Sequence, residues 1–212
     1  MEHFFWHQRW EKNEISFHEG KANANLVRYF TELALAPGAR LFLPLCGKTR
    51  DITWLLSHGY RVAGAELSEI AIGQLFAELG REPTIEPVGR MKRYHAADID
   101  IFVGDLFDLA AEQLGPVDAI YDRAALVALP EVMRQRYARH LVDITRSAPQ
   151  LLITFEYDQS QQEGPPFSVN AAELQRHYAN HYQLRLLASL EVAGGLKGRC
   201  AATECVWLLG RR

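Results

Sequence analysis

From residue 40 onward, short apolar runs alternate with stretches of helical periodicity, and this rhythm restricts the possible folds more than any other feature of the chain. A strand buried on both faces reads as a brief continuous apolar run, and parallel neighbours need long crossovers between them, usually helices. The pattern predicts strands at residues 40–45, 61–66, 99–105, 117–122 and 150–157, with helices at 51–58, 69–79 and 131–147. Gly80 is placed to end the second helix and Pro130 stands just before the third. The rhythm breaks at residues 81–98, where Pro83, Pro87 and Gly89 leave few helical cues. This stretch reads as an insertion carrying a small hairpin, residues 84–88 against 91–95. After a short helix at 171–179, two apolar runs at 183–192 and 202–209 are joined only by Gly194-Gly195-Leu196-Lys197-Gly198. That link is too short for a crossover, so the two runs should pair antiparallel. The expectation is one α/β domain over residues 1–212. Its sheet would have seven strands, mostly parallel, ending in a C-terminal antiparallel hairpin, with helices on both faces.

Composition narrows the partners. A chain of 212 residues, 48% of them apolar, can bury one full core without a second domain. A net charge of -3 gives no electrostatic reason to hold a polyanion, so no nucleic acid is expected. No run approaches the roughly 18 apolar residues of a membrane span, and His3, His7, Arg9, Glu11 and Lys12 interrupt any leader-like stretch. Cys46, Cys200 and Cys205 form no close pair, which suggests neither a disulfide framework nor a metal site and fits a reducing compartment. A cytoplasmic monomer with no membrane partner and no metal is the resulting expectation.

In an open parallel sheet the ligand crevice lies beyond the carboxyl ends of the strands, so the residues that follow strands matter most. After the first strand comes Leu43-Pro44-Leu45-Cys46-Gly47-Lys48-Thr49. A phosphate-binding P-loop needs a glycine where Phe42 stands, and a dinucleotide fingerprint needs three glycines where Gly47 is alone. A nucleoside ligand without phosphates is therefore favoured. About 20 residues beyond this turn, Glu66 closes the second strand, where a carboxylate can accept hydrogen bonds from both ribose hydroxyls. Gly104-Asp105-Leu106-Phe107 follows the third strand at the place where an adenine would lie. Asp122-Arg123-Ala124 follows the fourth and puts a cation at the mouth of the crevice.

These residues resemble a specific family. Leu43-Pro44-Leu45-Cys46-Gly47-Lys48, Gly64-Ala65-Glu66-Leu67-Ser68-Glu69, Asp122-Arg123-Ala124-Ala125-Leu126-Val127-Ala128 and Gly164-Pro165-Pro166-Phe167 look like thiopurine S-methyltransferases in the same order, over nearly the whole chain. The resemblance implies a Rossmann-like class I methyltransferase fold whose cofactor is S-adenosylmethionine, leaving S-adenosylhomocysteine as product. It implies cofactor contacts at Trp10, Leu45, Glu66 and Arg123, with Leu106 beside the adenine and Trp6 and Phe17 as further contacts. Residues 1–36 would form a cofactor-covering segment. Ala124 and Ala125 stand where Gly-Ala is expected, which bears on the acceptor and not on the cofactor. The implied acceptor is a thiopurine or another aromatic or heterocyclic thiol, or a selenium or tellurium species. Two rival readings are an NAD-dependent oxidoreductase and a non-catalytic binding protein on the same fold.

A methyl sulfonium is already an activated electrophile, so alignment and exclusion of water should dominate catalysis. Trp6 and Trp10, four residues apart on one helical face, are suited to closing over the cofactor. Arg123 is the candidate for orienting an anionic acceptor or the cofactor's carboxylate. Pro166 and Phe167 are expected in the acceptor wall, and no general base is evident. Removing the Glu66 side chain is expected to weaken cofactor binding and leave the fold intact.

Overall fold

The apolar runs at Leu41-Phe42-Leu43 and Val62-Ala63 are almost wholly buried on both faces, which places them at the centre of a sheet. The computed structural model describes residues 3–15 and 18–212. Its elements are, in chain order, α1 (His3–Glu11), α2 (Ala24–Tyr29), β1 (Arg40–Pro44), α3 (Arg50–Ser57), β2 (Arg61–Glu66), α4 (Glu69–Leu79), β3 (Thr84–Val88), β4 (Met91–Ala96), β5 (Ile99–Val103), α5 (Ala111–Leu114), β6 (Ala119–Arg123), α6 (Glu131–Thr145), β7 (Gln150–Tyr157), α7 (Ala171–Tyr178), β8 (Tyr182–Glu191) and β9 (Ala202–Arg211).

The strands form one sheet in the order β3-β4-β5-β2-β1-β6-β7-β9-β8. β5, β2, β1, β6 and β7 run parallel, and β7–β9 and β9–β8 are antiparallel. The sheet therefore has nine strands among the described residues, not seven. The hairpin of residues 84–96 does not stand apart from the sheet. β4 pairs antiparallel with β5 through a tight turn from Ala96 to Ile99, extending the sheet at that edge. Asp98 takes a left-handed φ of +61° in this turn, a conformation that aspartate tolerates better than most residues.

Helices cover both faces. Leu26, Phe30, Ile52, Leu55, Ile72 and Phe76, from the α2 to α4 side, pack over one face with Leu41, Leu43, Tyr121 and Ile153. Tyr137, Leu141, Leu174 and Tyr178 of α6 and α7 pack over the other with Phe42, Ile120, Leu152 and Trp207. Side-chain caps fix where helices begin at the crevice: Thr49 accepts from the Asp51 N–H, Ser68 from Ala71, and Asn23 from Asn25 and Leu26. β1 and β6, whose following elements lie on opposite faces, are neighbours, so the strand order reverses between them and a crevice opens beyond their carboxyl ends.

Candidate active site

Two turns shape that crevice. After β1, Leu45 and Gly47 have φ of +48° and +51°, which folds the chain tightly back at the strand end. A Cβ on Gly47 would lie 3.0 Å from Cζ2 of Trp10, so glycine is what lets the indole rest on this turn. Glu66, at the end of β2, spans the turn: the Gly47 N–H donates to Oε2 at 2.8 Å and the Ser68 N–H to Oε1 at 2.9 Å. Burial lifts its carboxyl above the ordinary range, against the pull of the N–H groups of Ser68, Gly47 and Leu67. Each oxygen has further lone-pair capacity after taking one N–H, as a ligand diol requires.

The second turn follows β6. Asp122 is fully buried and accepts from the Tyr137 hydroxyl at 2.7 Å and the Leu126 N–H at 3.1 Å. Burial raises its pKa to about 6 against those bonds. Ala124 has φ of +61°, and Asp122 ties the turn down on both sides of it, holding Arg123 toward the cavity. The guanidinium of Arg123 pairs with Glu19, on the segment between α1 and α2. Asp51 lies at the same end, accepting the Asn23 N–H at 2.7 Å and the Thr49 hydroxyl at 3.0 Å. The N-terminal segment is therefore latched to the cavity floor through Glu19 and Asn23.

The cavity enclosed in this way measures about 1010 Å³. Trp6, Trp10, Leu45, Glu66, Leu106, Arg123 and Pro166 all line it. The Leu106 carbonyl contacts His140 Nε2 at 2.8 Å, and Asp105 caps its turn by accepting the Phe107 N–H at 3.0 Å. Phe167 is not in the wall. Its N–H donates to the Val127 carbonyl at 2.6 Å, its ring is packed so closely on Gly164 that a Cβ there would come within 2.6 Å, and the Arg134 guanidinium sits 5.9 Å from the ring centroid. Gly164, Pro165 and Pro166 form the wall, and Phe167 supports it from behind. Phe17 lies outside the described residues.

Other wall residues carried no sequence signal. Tyr121, Asp51, Glu204, Met133, Phe155 and Lys197 also line the cavity. Lys197, in the Gly-rich link between β8 and β9, donates to the Pro165 carbonyl at 2.6 Å and closes the wall on that side. Burial lowers its pKa, helped by the charges of Arg9 and Arg199. Among the described residues no cluster of three or more His, Cys, Asp or Glu is arranged for a metal ion, and no helix is long and apolar enough to cross a membrane.

Comparison with known proteins gives a consistent result. The sequence profile of the family described as thiopurine S-methyltransferase matches residues 1–206. A thiopurine S-methyltransferase of Xanthobacter autotrophicus is 58% identical over 212 residues, covering 100% of both chains, and one of Teredinibacter turnerae is 53% identical over 211 residues, covering 100% of this chain and 98% of the other. Among solved structures, an Anabaena variabilis SAM-dependent methyltransferase aligns over 99% of this chain and 95% of its own, with a TM-score of 0.64 and 18% identity. A Burkholderia thailandensis 1,6-didemethyltoxoflavin-N1-methyltransferase, solved with bound 1,6-didemethyltoxoflavin and S-adenosylhomocysteine, aligns over 98% of this chain and 87% of its own, with a TM-score of 0.66 and 15% identity.

Proposed function

The chain belongs to the thiopurine S-methyltransferase family, whose members are S-adenosylmethionine-dependent methyltransferases, and from that premise we propose that it methylates the sulfur of a small aromatic or heterocyclic thiol. Selenium and tellurium oxyanions or their metabolites are the alternative acceptors of the same soft character. The observation that carries the reading is the buried Glu66 carboxylate, anchored by two backbone N–H groups at the edge of a cavity about 1010 Å³ in volume. Ligand pockets commonly run from about 300 to 1000 Å³, so this cavity has room for a nucleoside and a second, smaller molecule.

In this reading Glu66 receives the ribose hydroxyls, Leu106 lies beside the adenine, and Leu45, Trp10 and Trp6 flank the amino-acid portion of the cofactor. Arg123 faces a carboxylate or an anionic acceptor. Pro165, Pro166, Val127, Met133, Phe155 and Leu196 supply a largely apolar acceptor wall. S-adenosylmethionine supplies an activated methyl group, and what remains for the protein is alignment and dryness. An attacking thiolate and a sulfonium cancel each other's charge, so apolar walls disfavour the separated charges more than the transition state. The indole of Trp10, 5% exposed and resting on the β1 turn, is placed to exclude water. Near a sulfonium it adds about 0.5–2 kcal/mol of cation–π attraction. The three cysteines are free and buried, which supports a reducing compartment such as the cytoplasm.

The test is calorimetry with S-adenosylhomocysteine, followed by a panel of thiopurine, aryl thiol, selenite and tellurite with mass-spectrometric detection of methylated product. Binding with thioether formation supports the reading. Binding without methylation of any thiol overturns the acceptor class, and no binding overturns the cofactor site.

A further inference from the structure

Methylation of a thiol that is protonated at ambient pH has to dispose of a proton, and a thiol is a far weaker nucleophile than its thiolate. Several acids line the cavity, and most are already engaged. Glu66 holds two backbone N–H groups, Asp51 accepts from Asn23 and Thr49, and Asp105 accepts the Phe107 N–H, while Glu19, outside the lining, pairs with Arg123. Glu163 is exposed at the rim. His18 lies beside Lys48, Arg50 and Glu78, and burial together with Lys48 lowers its pKa.

Glu204 differs. It sits on β9 directly opposite Phe155 of β7, so the two side chains rise from the same face of the sheet, and both line the cavity. Asn25 Nδ2, from α2, donates to its Oε2 at 2.7 Å and fixes the carboxylate's rotation. Its Oε1 takes no hydrogen bond from the described residues. The charges facing it are Arg123 from β6 and Glu19 from the N-terminal segment. Cys205 and Glu156 contact each other at 3.9 Å from the alternate positions of the same two strands. Burial raises the Glu204 carboxyl above the usual range, while Asn25 and Arg123 draw it down and Glu19 pushes it up. Such a carboxylate takes a proton more readily than an exposed one.

We propose that Glu204 is the group that accepts the proton of the acceptor thiol, a role that rests on the reading of the acceptor as a thiol. The S–H bond breaks and its proton moves to Oε1 of Glu204. The sulfur electron pair forms the new bond to the methyl carbon, and the pair of the old carbon–sulfur bond stays on the departing cofactor sulfur. The products are a neutral thioether, S-adenosylhomocysteine and a protonated Glu204, which then releases its proton to water. Arg123, next to this carboxylate, offsets the negative charge that develops on sulfur.

The test is Glu204→Gln, which keeps an acceptor for Asn25 and removes the base, assayed on aryl thiols of graded acidity. For thiols still protonated at the assay pH, kcat/KM should fall at least about 10²-fold, with recovery as pH rises toward the thiol pKa. For thiols already ionised, the loss should stay below about tenfold. The Kd for S-adenosylhomocysteine by calorimetry and the melting temperature should match those of the wild type. Equal losses across all thiols, no loss, or a weakened cofactor Kd would each overturn the assignment. A wild-type protein that methylates no thiol would instead remove the reading on which it rests.

Discussion

The hold of Glu66 on the β1 turn and its proposed ribose contact are two separately measurable quantities. In Glu66→Ala the N–H groups of Gly47 and Ser68 lose partners at 2.8 and 2.9 Å in a site that is 6% exposed. Each orphaned buried N–H costs about 1–3 kcal/mol. Removing a carboxylate whose ionisation burial already opposes returns part of that, leaving a net loss of about 2–4 kcal/mol. For a chain of this size the loss corresponds to a fall in melting temperature of about 5–15 °C. The fold should stay intact but become less stable, because the oxygens proposed to meet the ribose also pin the β1 turn. Cofactor affinity should fall by at least about 2 kcal/mol, near 30-fold in Kd, with the lost ribose bonds. Glu66→Gln retains one acceptor and should lose about half as much stability. Differential scanning calorimetry and titration with S-adenosylhomocysteine measure the two quantities on the same preparations. A Glu66→Ala protein melting within about 2 °C of wild type would refute the pinning argument. An unchanged Kd would show that the ribose lies elsewhere.

Two further substitutions probe the turns. Asp122 has a pKa raised to about 6 from an ordinary 3.8, so the native state keeps a proton that the unfolded chain has lost between about pH 4 and 6. Its contribution is greatest below about pH 4 and declines by about 3 kcal/mol as pH rises to 6. Urea unfolding from pH 4 to 7 should show that Asp122→Asn removes this slope, and a difference between the two proteins that does not vary with pH would contradict it. Gly47→Ala combines a left-handed φ with a Cβ 3.0 Å from the Trp10 ring. It should cost about 1–2 kcal/mol and loosen cofactor binding about tenfold; a fully wild-type affinity would mean that Trp10 does not cover the ligand.

The sheet's parallel core was legible because β1, β2, β5 and β7 are apolar runs bounded by glycine, proline and charge, and that pattern is local. The attachment of the β3–β4 hairpin was not, since its signal is one left-handed aspartate at a two-residue turn. Strand ends could be read too, which is why Leu45, Glu66, Leu106 and Arg123 meet in one cavity. Tyr121 and Glu204 went unseen because inward-facing positions on β6 and β9 look like any other strand residue until the strand order is known. Phe167 lies behind the wall, not in it, for a related reason. The Gly-Pro-Pro turn was recognised, but a one-residue difference in direction puts prolines in the wall and the phenyl ring behind it.

The link at Lys197 has a consequence for the order of assembly. Part of the cavity lining comes from Trp6, Arg9 and Trp10 and part from Leu196, Lys197 and Glu204, so its completion needs contacts very distant along the chain. Contacts of such long sequence separation form late in folding and carry the largest loop entropy. On a ribosome, a nascent chain displaying β1 to β7 has the proposed nucleoside half of the crevice and the Val127, Met133 and Phe155 part of the acceptor wall, but not Pro165, Pro166 or Leu196. Competence to transfer a methyl group arrives only when the final hairpin closes on the prolines.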